Sequence, residues 1–247
     1  MTKVSAIITA HNEGLLAGPS IASFCEARSH AEANHIEVEP IFILDRADKL
    51  TEAVIREAEV PGVAIYDTDF GDISTARNFA ASKATGDFVS YLDADDFWSY
   101  NWITEAARFC LARSKKVVAH SEINILFGGG QNVWIHADSE AEDFDPSYLT
   151  VGNYWDAMIF TWRDIYLDYP VRKNDLKSGF GYEDWQWNCV TLLAGIPHKP
   201  VPYTVHFKRR RGGSLLARSA DSDVVPAHTG IYALSRKLWS EKSGRSA

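Results

Sequence analysis

The chain has 247 residues, 46% of them hydrophobic and 23% charged, which is typical of one large globular domain or of one domain with an appended lobe. A formal net charge of −8 argues against duplex nucleic acid as a partner. The apolar run at residues 4–10 is too short for a signal peptide, and no run approaches the roughly 20 residues of a membrane span. Three widely spaced cysteines indicate free thiols in a reducing, cytoplasmic compartment.

The first half of the chain alternates short apolar segments with segments of helical spacing. The apolar segments are rich in β-forming residues and predict strands over residues 4–10, 36–44, 63–66 and 88–92. The segments between them predict helices over residues 15–33, 50–59 and 74–83. Strands that alternate with helices form right-handed βαβ units, so we predict an α/β fold with a mostly parallel sheet flanked by helices.

Acidic residues follow three of these four predicted strands. Glu13 comes after the first, Asp45 after the second, and Asp93 and Asp95 directly after the fourth. Because open α/β sheets bind ligands at the C-terminal ends of their strands, these carboxylates predict a nucleotide-binding crevice. Such a concentration of negative charge suits Mg²⁺ or Mn²⁺, which in turn hold a diphosphate. The alternative is a loop of acidic turn-forming residues that caps the next helix near Asn101.

The second half of the chain is less regular. Its patterns predict helices over residues 102–113, 182–193 and 227–239, and strands over residues 116–126, 133–136 and 201–207. The acidic segment at 138–145 is typical of a solvated loop, and a basic run at 208–214 follows the last predicted strand. These elements predict a smaller, mixed part of the fold beside the parallel sheet.

Several motifs resemble, in order and spacing, those of the family 2 glycosyltransferases of the GT-A fold. The most specific are Ala-Arg-Asn at 76–78, Ala-Thr-Gly-Asp-Phe at 84–88 and Leu-Asp-Ala-Asp-Asp at 92–96, followed much later by Glu-Asp-Trp at 183–185. The resemblance is continuous over residues 1–100 and then confined to isolated motifs. It implies a single GT-A domain over residues 1–247, with a nucleotide-binding half (1–100), an acceptor-binding half (101–215) and a C-terminal helical extension (216–247).

The resemblance also implies that the donor is a nucleoside diphosphate sugar, often a UDP-sugar. Asp45 would accept a hydrogen bond from a base edge that presents an N–H, such as uracil N3. Arg209 and Arg211 in the basic run would close over the diphosphate, the alternatives being a solvated basic loop or contact with an anionic membrane. The implied donor-binding residues are Thr9, His11, Glu13, Asp45, Arg77, Asp93, Arg209 and Arg211.

A divalent cation, Mn²⁺ or Mg²⁺, is the cofactor that the resemblance implies. Asp93 would face the ribose or the metal, and Asp95 would hold the metal against the diphosphate. The cation would act as a Lewis acid that neutralises charge on the departing diphosphate. His206 precedes the basic run and is a further candidate ligand, the alternative being a histidine of the core or the surface.

Glu183 and Asp184 are the carboxylates that we connect with bond formation. Sugar transfer with inversion needs a carboxylate to take the proton of the acceptor hydroxyl, opposite the leaving group. We predict Asp184 as this base and Glu183 as a residue that orients the acceptor. The pair also stands at a predicted helix start, where a carboxylate is a good cap. Trp185 and Trp187 are candidate acceptor-site residues because sugar faces stack on aromatic rings.

The predicted function is transfer of a sugar from a nucleotide sugar to an acceptor hydroxyl with inversion. The acceptor would be a carbohydrate or glycolipid in cell-surface polysaccharide or glycoconjugate synthesis, and the enzyme would be cytoplasmic, with possible peripheral contact at the inner face of the membrane. Two other classes stay open, a sugar nucleotidyltransferase and a non-catalytic nucleotide-sugar-binding protein. A nucleotidyltransferase usually carries a basic residue in the loop after its first strand, and residues 11–14 contain no Lys or Arg.

Overall fold

A computed structural model of the protein describes residues 2–212, 219 and 221–243. The described helices are α1 (Ala17–Ala33), α2 (Lys49–Glu57), α3 (Ile73–Lys83), α4 (Trp102–Leu111), α5 (Arg163–Asp168), α6 (Glu183–Leu193) and α7 (Ile231–Ser243). The described strands are β1 (Lys3–Ala10), β2 (Glu37–Asp45), β3 (Ala64–Thr68), β4 (Phe88–Asp93), β5 (Phe97–Trp98), β6 (Val118–Gly128), β7 (Asn132–Ile135), β8 (Phe160–Trp162), β9 (Phe180–Gly181), β10 (His198–Arg210) and β11 (Val225–Pro226). Every predicted strand and helix of the first half is confirmed to within a few residues.

Nine of the described strands form one sheet in the order β3-β2-β1-β4-β8-β6-β10-β5, with β7 paired to β6. The strands β1 to β4 are mutually parallel, and β6 is parallel to β10. The short strand β8 joins these two parallel groups because it runs antiparallel to both β4 and β6. This topology confirms the predicted α/β fold with a mostly parallel sheet.

The sheet is buried on both faces, which explains why its central strands are continuously apolar. Along β1, Ala6 and Ile8 belong to the core on one face, which the helices α1 and α4 cover, whereas Ile7 belongs to the core on the other face, which α3 and α5 cover. Alternating residues of β4 divide between the two faces in the same way. The helices therefore cover both faces and leave the strand ends as the accessible edge of the sheet.

The basic run is where the structure departs from the sequence-based expectation. We predicted that the last long strand ends at Phe207, but β10 continues to Arg210, which pairs with Gly128 of β6. Arg209 stays within the strand because its guanidinium lies over the Phe127 ring, 4.5 Å from the centroid, where an aromatic face attracts the cation. The first three residues of the basic run, 208–210, are therefore strand residues. Gly213 and Ser214, the end of the predicted run, lie outside the described residues.

Strands from both predicted halves belong to the same sheet, and α7 lies within the predicted C-terminal extension. The division at residues 100 and 215 stays a prediction. Among the described helices, none has the combination of length and apolarity that crossing a bilayer requires.

Candidate active site

Polar groups from three neighbouring strands meet at one edge of the sheet. Thr9 near the end of β1 donates its hydroxyl to Oδ1 of Asp93 at 3.3 Å. His11, just beyond β1, donates Nδ1–H to the main-chain oxygen of Asp45 at 2.7 Å. Since β2, β1 and β4 are adjacent and parallel, their C-terminal ends bring these groups together as the sequence predicted.

Arg77 connects this edge with the start of α6. Its guanidinium is buried, donates to Oδ1 of Asp93 through Nη2, and lies 3.8 Å from Oε1 of Glu183 through Nη1. Burial alone would raise the pKa of Asp93, but the charges of Arg77 and then Lys208 outweigh it and hold that pKa below its usual range. Asp93 is therefore an anion under physiological conditions, and it is held in place by Arg77, which lies 16 residues earlier in the chain.

Arg211 makes a second bridge across the edge. Its Nε donates to Oδ2 of Asp95 at 2.7 Å, and its Nη2 lies 3.2 Å from Oε1 of Glu13. Burial and then the charge of Asp93 raise the pKa of Asp95, so this carboxyl lacks sufficient positive charge around it. Among the described residues, the hydrogen-bond donors engage Oδ1 of Asp93 and Oδ2 of Asp95, which leaves one oxygen of each carboxylate for another ligand. Carboxylate oxygens whose negative charge is not fully neutralised are suitable ligands for Mg²⁺ or Mn²⁺.

Asp45 has a structural role in addition to the predicted recognition of the base. Its Oδ1 accepts hydrogen bonds from the Thr68 hydroxyl and the Phe70 N–H, and its Oδ2 accepts one from the Asp72 N–H at 3.1 Å. These bonds fix the segment that precedes α3, the helix that carries Arg77. Recognition of the base by Asp45 stays a prediction, and Oδ2 has one further lone pair with which to make it.

Glu183 and Asp184 form the first turn of α6. The backbone enters the helix through Tyr182 in a left-handed conformation (φ 54°), so the predicted capping position is taken by Tyr182 and not by either carboxylate. Glu183 is buried and accepts a hydrogen bond from Asn174 Nδ2 at 3.0 Å. Asp184 accepts one from the Trp185 N–H at 2.8 Å, so it satisfies one free N–H of the helix start. Burial and then the charge of Glu183 raise the pKa of Asp184 to about 7.

A small cavity with room for about one water molecule lies between Arg77 and α6. Asp184, Trp187 and Tyr166 line it on the α6 and α5 side, and Asp156 lines it on the side of the loop before β8. The cavity therefore exposes the Asp184 carboxyl to a space that also reaches the Arg77 guanidinium.

Asp156 and Lys208 are polar residues of this region that the sequence did not reveal. Lys208 Nζ lies 3.7 Å from Oδ2 of Asp156. Burial would lower the pKa of Lys208, but Asp156, then Asp96 and Asp93, raise it above its usual range. Asp156 was not recognised in the sequence because it lies in an aromatic-rich segment. Lys208 was not recognised because it belongs to a run of four basic residues, and only the direction of its side chain distinguishes it from the other three.

The two candidate acceptor-site tryptophans differ in position. Trp187 is 3% exposed, lines the cavity, and donates its indole N–H to the main-chain oxygen of Tyr169 at 2.6 Å. Trp185 is half-buried and donates its indole N–H to the main-chain oxygen of Leu149 at 2.9 Å. Both rings are packed against the protein, and the structure brings only Trp187 to the cavity that Asp184 lines.

His206 lies in the core, which was the alternative to its predicted role as a metal ligand. It is fully buried on β10, its ring packs edge-on against Trp102 with centroids 4.4 Å apart, and burial lowers its pKa to about 3. Ligand atoms of three or more His, Cys, Asp or Glu residues come within 4.8 Å of one another, among the described residues, at His120, His136 and Asp156. The predicted set of Asp93, Asp95 and His206 is therefore not gathered that closely, and ligation by His206 stays a prediction.

A sequence model of the family described as Glycosyl transferase family 2 matches residues 5–167, which is more than half of the chain. The chain therefore belongs to glycosyl transferase family 2. No curated protein sequence matches it. The family match includes the strand-end residues at 9, 13, 45, 93 and 95 and ends before Glu183 and Asp184, so the roles of these two carboxylates stay predictions.

Solved structures of nucleotide-sugar-dependent enzymes share the fold. TarS from S. aureus, in complex with UDP-GlcNAc, superimposes with a TM-score of 0.63 at 15% identity over 87% of this chain and 61% of that one. The mannosyltransferase PcManGT from Pyrobaculum calidifontis, in complex with GDP-Man and Mn²⁺, gives 0.59 at 15% identity over 87% and 59%. GalNAc-T7 with UDP, GalNAc and Mn²⁺ gives 0.60 at 16% identity over 100% and 55%. The chain thus spans less than two thirds of these proteins, and the similarity establishes the GT-A fold.

Proposed function

We propose that the protein transfers a sugar from a nucleoside diphosphate sugar to an acceptor hydroxyl, with Asp184 as the general base. The observation that carries this proposal is the placement of Asp184, whose pKa is raised to about 7, in the same cavity as Arg77. A base works best when its pKa lies near the operating pH, because it is then both available and strong enough to take the proton. Glu183, held by Asn174 and close to Arg77, orients the acceptor beside it.

The strand-end residues serve the donor in this proposal. Thr9, His11 and Glu13 lie under the nucleoside, and Asp45 reads the base. Arg77 fixes Asp93 toward the ribose, and Arg209 and Arg211 lie where they can contact the diphosphate. Arg211 already bridges Asp95 and Glu13, so it exchanges a carboxylate for a phosphate partner of the same charge when the donor binds.

Asp93 and Asp95 would hold Mn²⁺ or Mg²⁺ in this proposal, with His206 as a candidate third ligand that would have to turn out of the core. When bound, the cation would neutralise charge that develops on the leaving diphosphate. Mn²⁺ accompanies the nucleotide in two of the similar structures, PcManGT and GalNAc-T7, which supports a cation at the corresponding edge. The two aspartates offer only oxygen donors, which matches the preference of both ions.

The finer features of the proposal concern stereochemistry, donor and biological setting. A single carboxylate base facing the sugar favours one displacement, and therefore inversion. UDP-sugars are favoured because Asp45 presents an acceptor to uracil N3–H. We place the reaction in the cytoplasm, on a carbohydrate or glycolipid acceptor of cell-surface polysaccharide or glycoconjugate synthesis, with peripheral membrane contact through the basic residues near Arg211.

A thermal-shift screen of UDP, CDP, GDP and their sugars, each with and without Mn²⁺, tests the donor part of this proposal. A ligand that binds only the native state raises its melting temperature. We expect UDP compounds to give the largest shift, and Mn²⁺ to increase it in the parent protein but not in Asp95→Ala. Equal shifts for all three nucleotides would contradict the role of Asp45, and an unchanged Mn²⁺ effect in Asp95→Ala would contradict the cation site.

A further inference from the structure

Two histidines and one aspartate converge inside the protein, and none of the three is among the residues assigned to the donor. His120 belongs to β6, His136 follows β7, and Asp156 precedes β8. One ligand atom of each lies within 4.8 Å of the other two, and all three residues are at most 3% exposed. Neither His120 nor His136 has a part in the proposed transfer reaction. We call these three residues the histidine cluster.

The hydrogen bonds of His120 determine which of its ring nitrogens carries the proton. The Thr191 hydroxyl donates to the Trp187 main-chain oxygen at 2.9 Å, so Thr191 Oγ1 is free to accept from His198 Nε2–H at 2.8 Å. His198 Nδ1 then accepts from His120 Nε2–H at 2.9 Å. This direction of the chain uses every donor and forms one more hydrogen bond than the reverse direction. It leaves His120 Nδ1 as a buried lone pair that no described group satisfies.

The same reasoning applies to His136. Its Nδ1 lies 2.8 Å from the Ser121 main-chain oxygen, which can only accept, so Nδ1 carries the proton. Nε2 is therefore a lone pair, and it lies 3.9 Å from Oδ1 of Asp156 with no described donor. Two imidazole lone pairs thus face a carboxylate oxygen in the interior.

We infer that His120 Nδ1, His136 Nε2 and Asp156 Oδ1 bind a transition-metal ion of the Zn²⁺ class. Two imidazoles and one carboxylate are a donor set that such ions prefer, whereas Mg²⁺ prefers oxygen alone. With metal–ligand bonds of about 2.0–2.2 Å, ligand atoms in a tetrahedral site lie roughly 3.4 Å apart. The present spacing of up to 4.8 Å therefore has to close by up to about 1.4 Å through side-chain rotation.

The groups around the cluster match those expected of metal ligands. Histidines that bind a metal almost always donate their other N–H to a fixed acceptor, which sets the tautomer and the ring orientation. His120 donates to His198, and His136 donates to a main-chain oxygen, so both meet this condition. Asn124 donates to Oδ2 of Asp156 at 2.8 Å, and the Met158 N–H donates to Oδ1 at 3.2 Å, so Oδ1 keeps one further lone pair for a metal. The outer partners are thus already arranged for a cation between the three inner atoms.

Lys208 carries a positive charge beside the histidine cluster. Its Nζ lies 3.7 Å from Oδ2 of Asp156, the oxygen that points away from His136 Nε2. Four carboxylates act on this single ammonium group: Asp156, Asp96, Asp93 and Asp184. Three of these carboxylates lie outside the histidine cluster, so the charge of Lys208 is shared with groups beyond the cluster. The ion would tie β6, the end of the β6–β7 hairpin and the loop before β8 to one point.

Metal titration of the whole chain tests this inference. The protein is stripped with a chelator and then titrated with Zn²⁺, or with Co²⁺ as a coloured substitute. We expect one ion per chain, visible ligand-field absorption from Co²⁺, and a melting temperature raised by about 5–10 °C at 100 times the dissociation constant. Absence of both the Zn²⁺ shift and the Co²⁺ absorption in the parent protein would overturn the inference.

Three variants distinguish binding at the histidine cluster from binding elsewhere on the protein. His136→Gln should lose the Co²⁺ absorption and the Zn²⁺ shift, whereas His136→Cys should keep both and add a thiolate-to-Co²⁺ band, because thiolate is also a ligand of these ions. The matched control His35→Asn removes an exposed histidine at a left-handed position (φ 63°) and should behave like the parent. Binding that His136→Gln retains would overturn the assignment. If His136→Gln does not fold, the thiolate band in His136→Cys decides, and its absence counts against the site.

Discussion

The molecule contains two polar clusters, one at the sheet edge and one in the interior, which differ in whether their carboxylates and lone pairs have partners. At the sheet edge, Asp93 and Asp95 are 27% and 15% exposed, and each carboxylate contacts a guanidinium, from Arg77 and Arg211 respectively. In the histidine cluster, His136 and Asp156 are at most 1% exposed, and lone pairs face a carboxylate oxygen without a donor between them. The first cluster contains oxygen ligands near solvent, and the second contains nitrogen and oxygen ligands in the interior.

This difference indicates two kinds of binding. Groups that already have exchangeable ionic partners near solvent can release and rebind a charged ligand during turnover, as a donor site must. The histidine cluster has no solvent access. An ion bound there would therefore be retained, because it could leave only if the surrounding structure opened. Asp184 lies between the two, because it lines the cavity that Arg77 and Asp156 share.

The largest expected effect comes from removing the proposed base. Asn is nearly isosteric with Asp but cannot take a proton from a hydroxyl, so Asp184→Asn should slow transfer on the order of 10²–10⁴-fold. Donor affinity should not change, because the strand-end residues remain intact, and calorimetry with UDP provides that control. If Asp184 served only the helix start, Asn would replace it about equally well, and the transfer rate would persist.

Removal of Arg77 should have the next largest effect, and it acts on stability. Arg77→Met removes a buried guanidinium from the buried carboxylate of Glu183 and from the half-buried carboxylate of Asp93, which should cost about 3–5 kcal/mol in the free energy of unfolding. Urea denaturation measures this loss. The matched control is Arg56→Met, whose ion pairs with Glu52 and Asp67 are exposed, and it should change stability by about 0.5 kcal/mol or less. Equal losses of unfolding free energy in both variants would show that the buried Arg77 contributes no more to stability than an exposed arginine.

A smaller effect should appear in the pH dependence of stability. The pKa of Asp184 is about 7 in the folded protein and 3.8 ordinarily, so folding favours its protonated form. This stabilisation is complete below pH 3.8 and is lost as pH rises to about 7. Relative to Asp184→Asn, the parent should therefore lose up to about 4 kcal/mol over that range, at 1.36 kcal/mol per pKa unit. A constant difference between parent and variant would show that the pKa is not raised.

The residues at the sheet edge could be predicted from the sequence because the pattern that indicates them is local. Each carboxylate at that edge directly follows an apolar strand, and parallel strands place such positions side by side. The histidine cluster could not be predicted in this way. His120, His136 and Asp156 are far apart in the chain, and only the pairing of β6 with β7 and with β8 brings them together.

The orientation of His206 and Lys208 was also hidden from the sequence. The register of β10 against β6 shifts between Val201 and Val205, and Tyr203 within the shift has a positive φ of 63°. Simple alternation along residues 201–207 therefore does not tell which side chains point inward. The length of β10 depended on its pairing partner β6, which sequence patterns do not specify.

The identity of the phosphate-containing product tests the central claim most directly. The parent protein is incubated with a UDP-sugar, Mn²⁺ and a pool of carbohydrate acceptors, and the products are separated and identified by ³¹P NMR. We expect UDP as the released nucleotide, formed slowly with water alone, faster with an acceptor, and far more slowly by Asp184→Asn. Formation of UTP and a sugar 1-phosphate in a parallel incubation with added pyrophosphate would indicate a nucleotidyltransferase, and binding without any product would indicate a non-catalytic protein; either result would contradict the proposed sugar transfer.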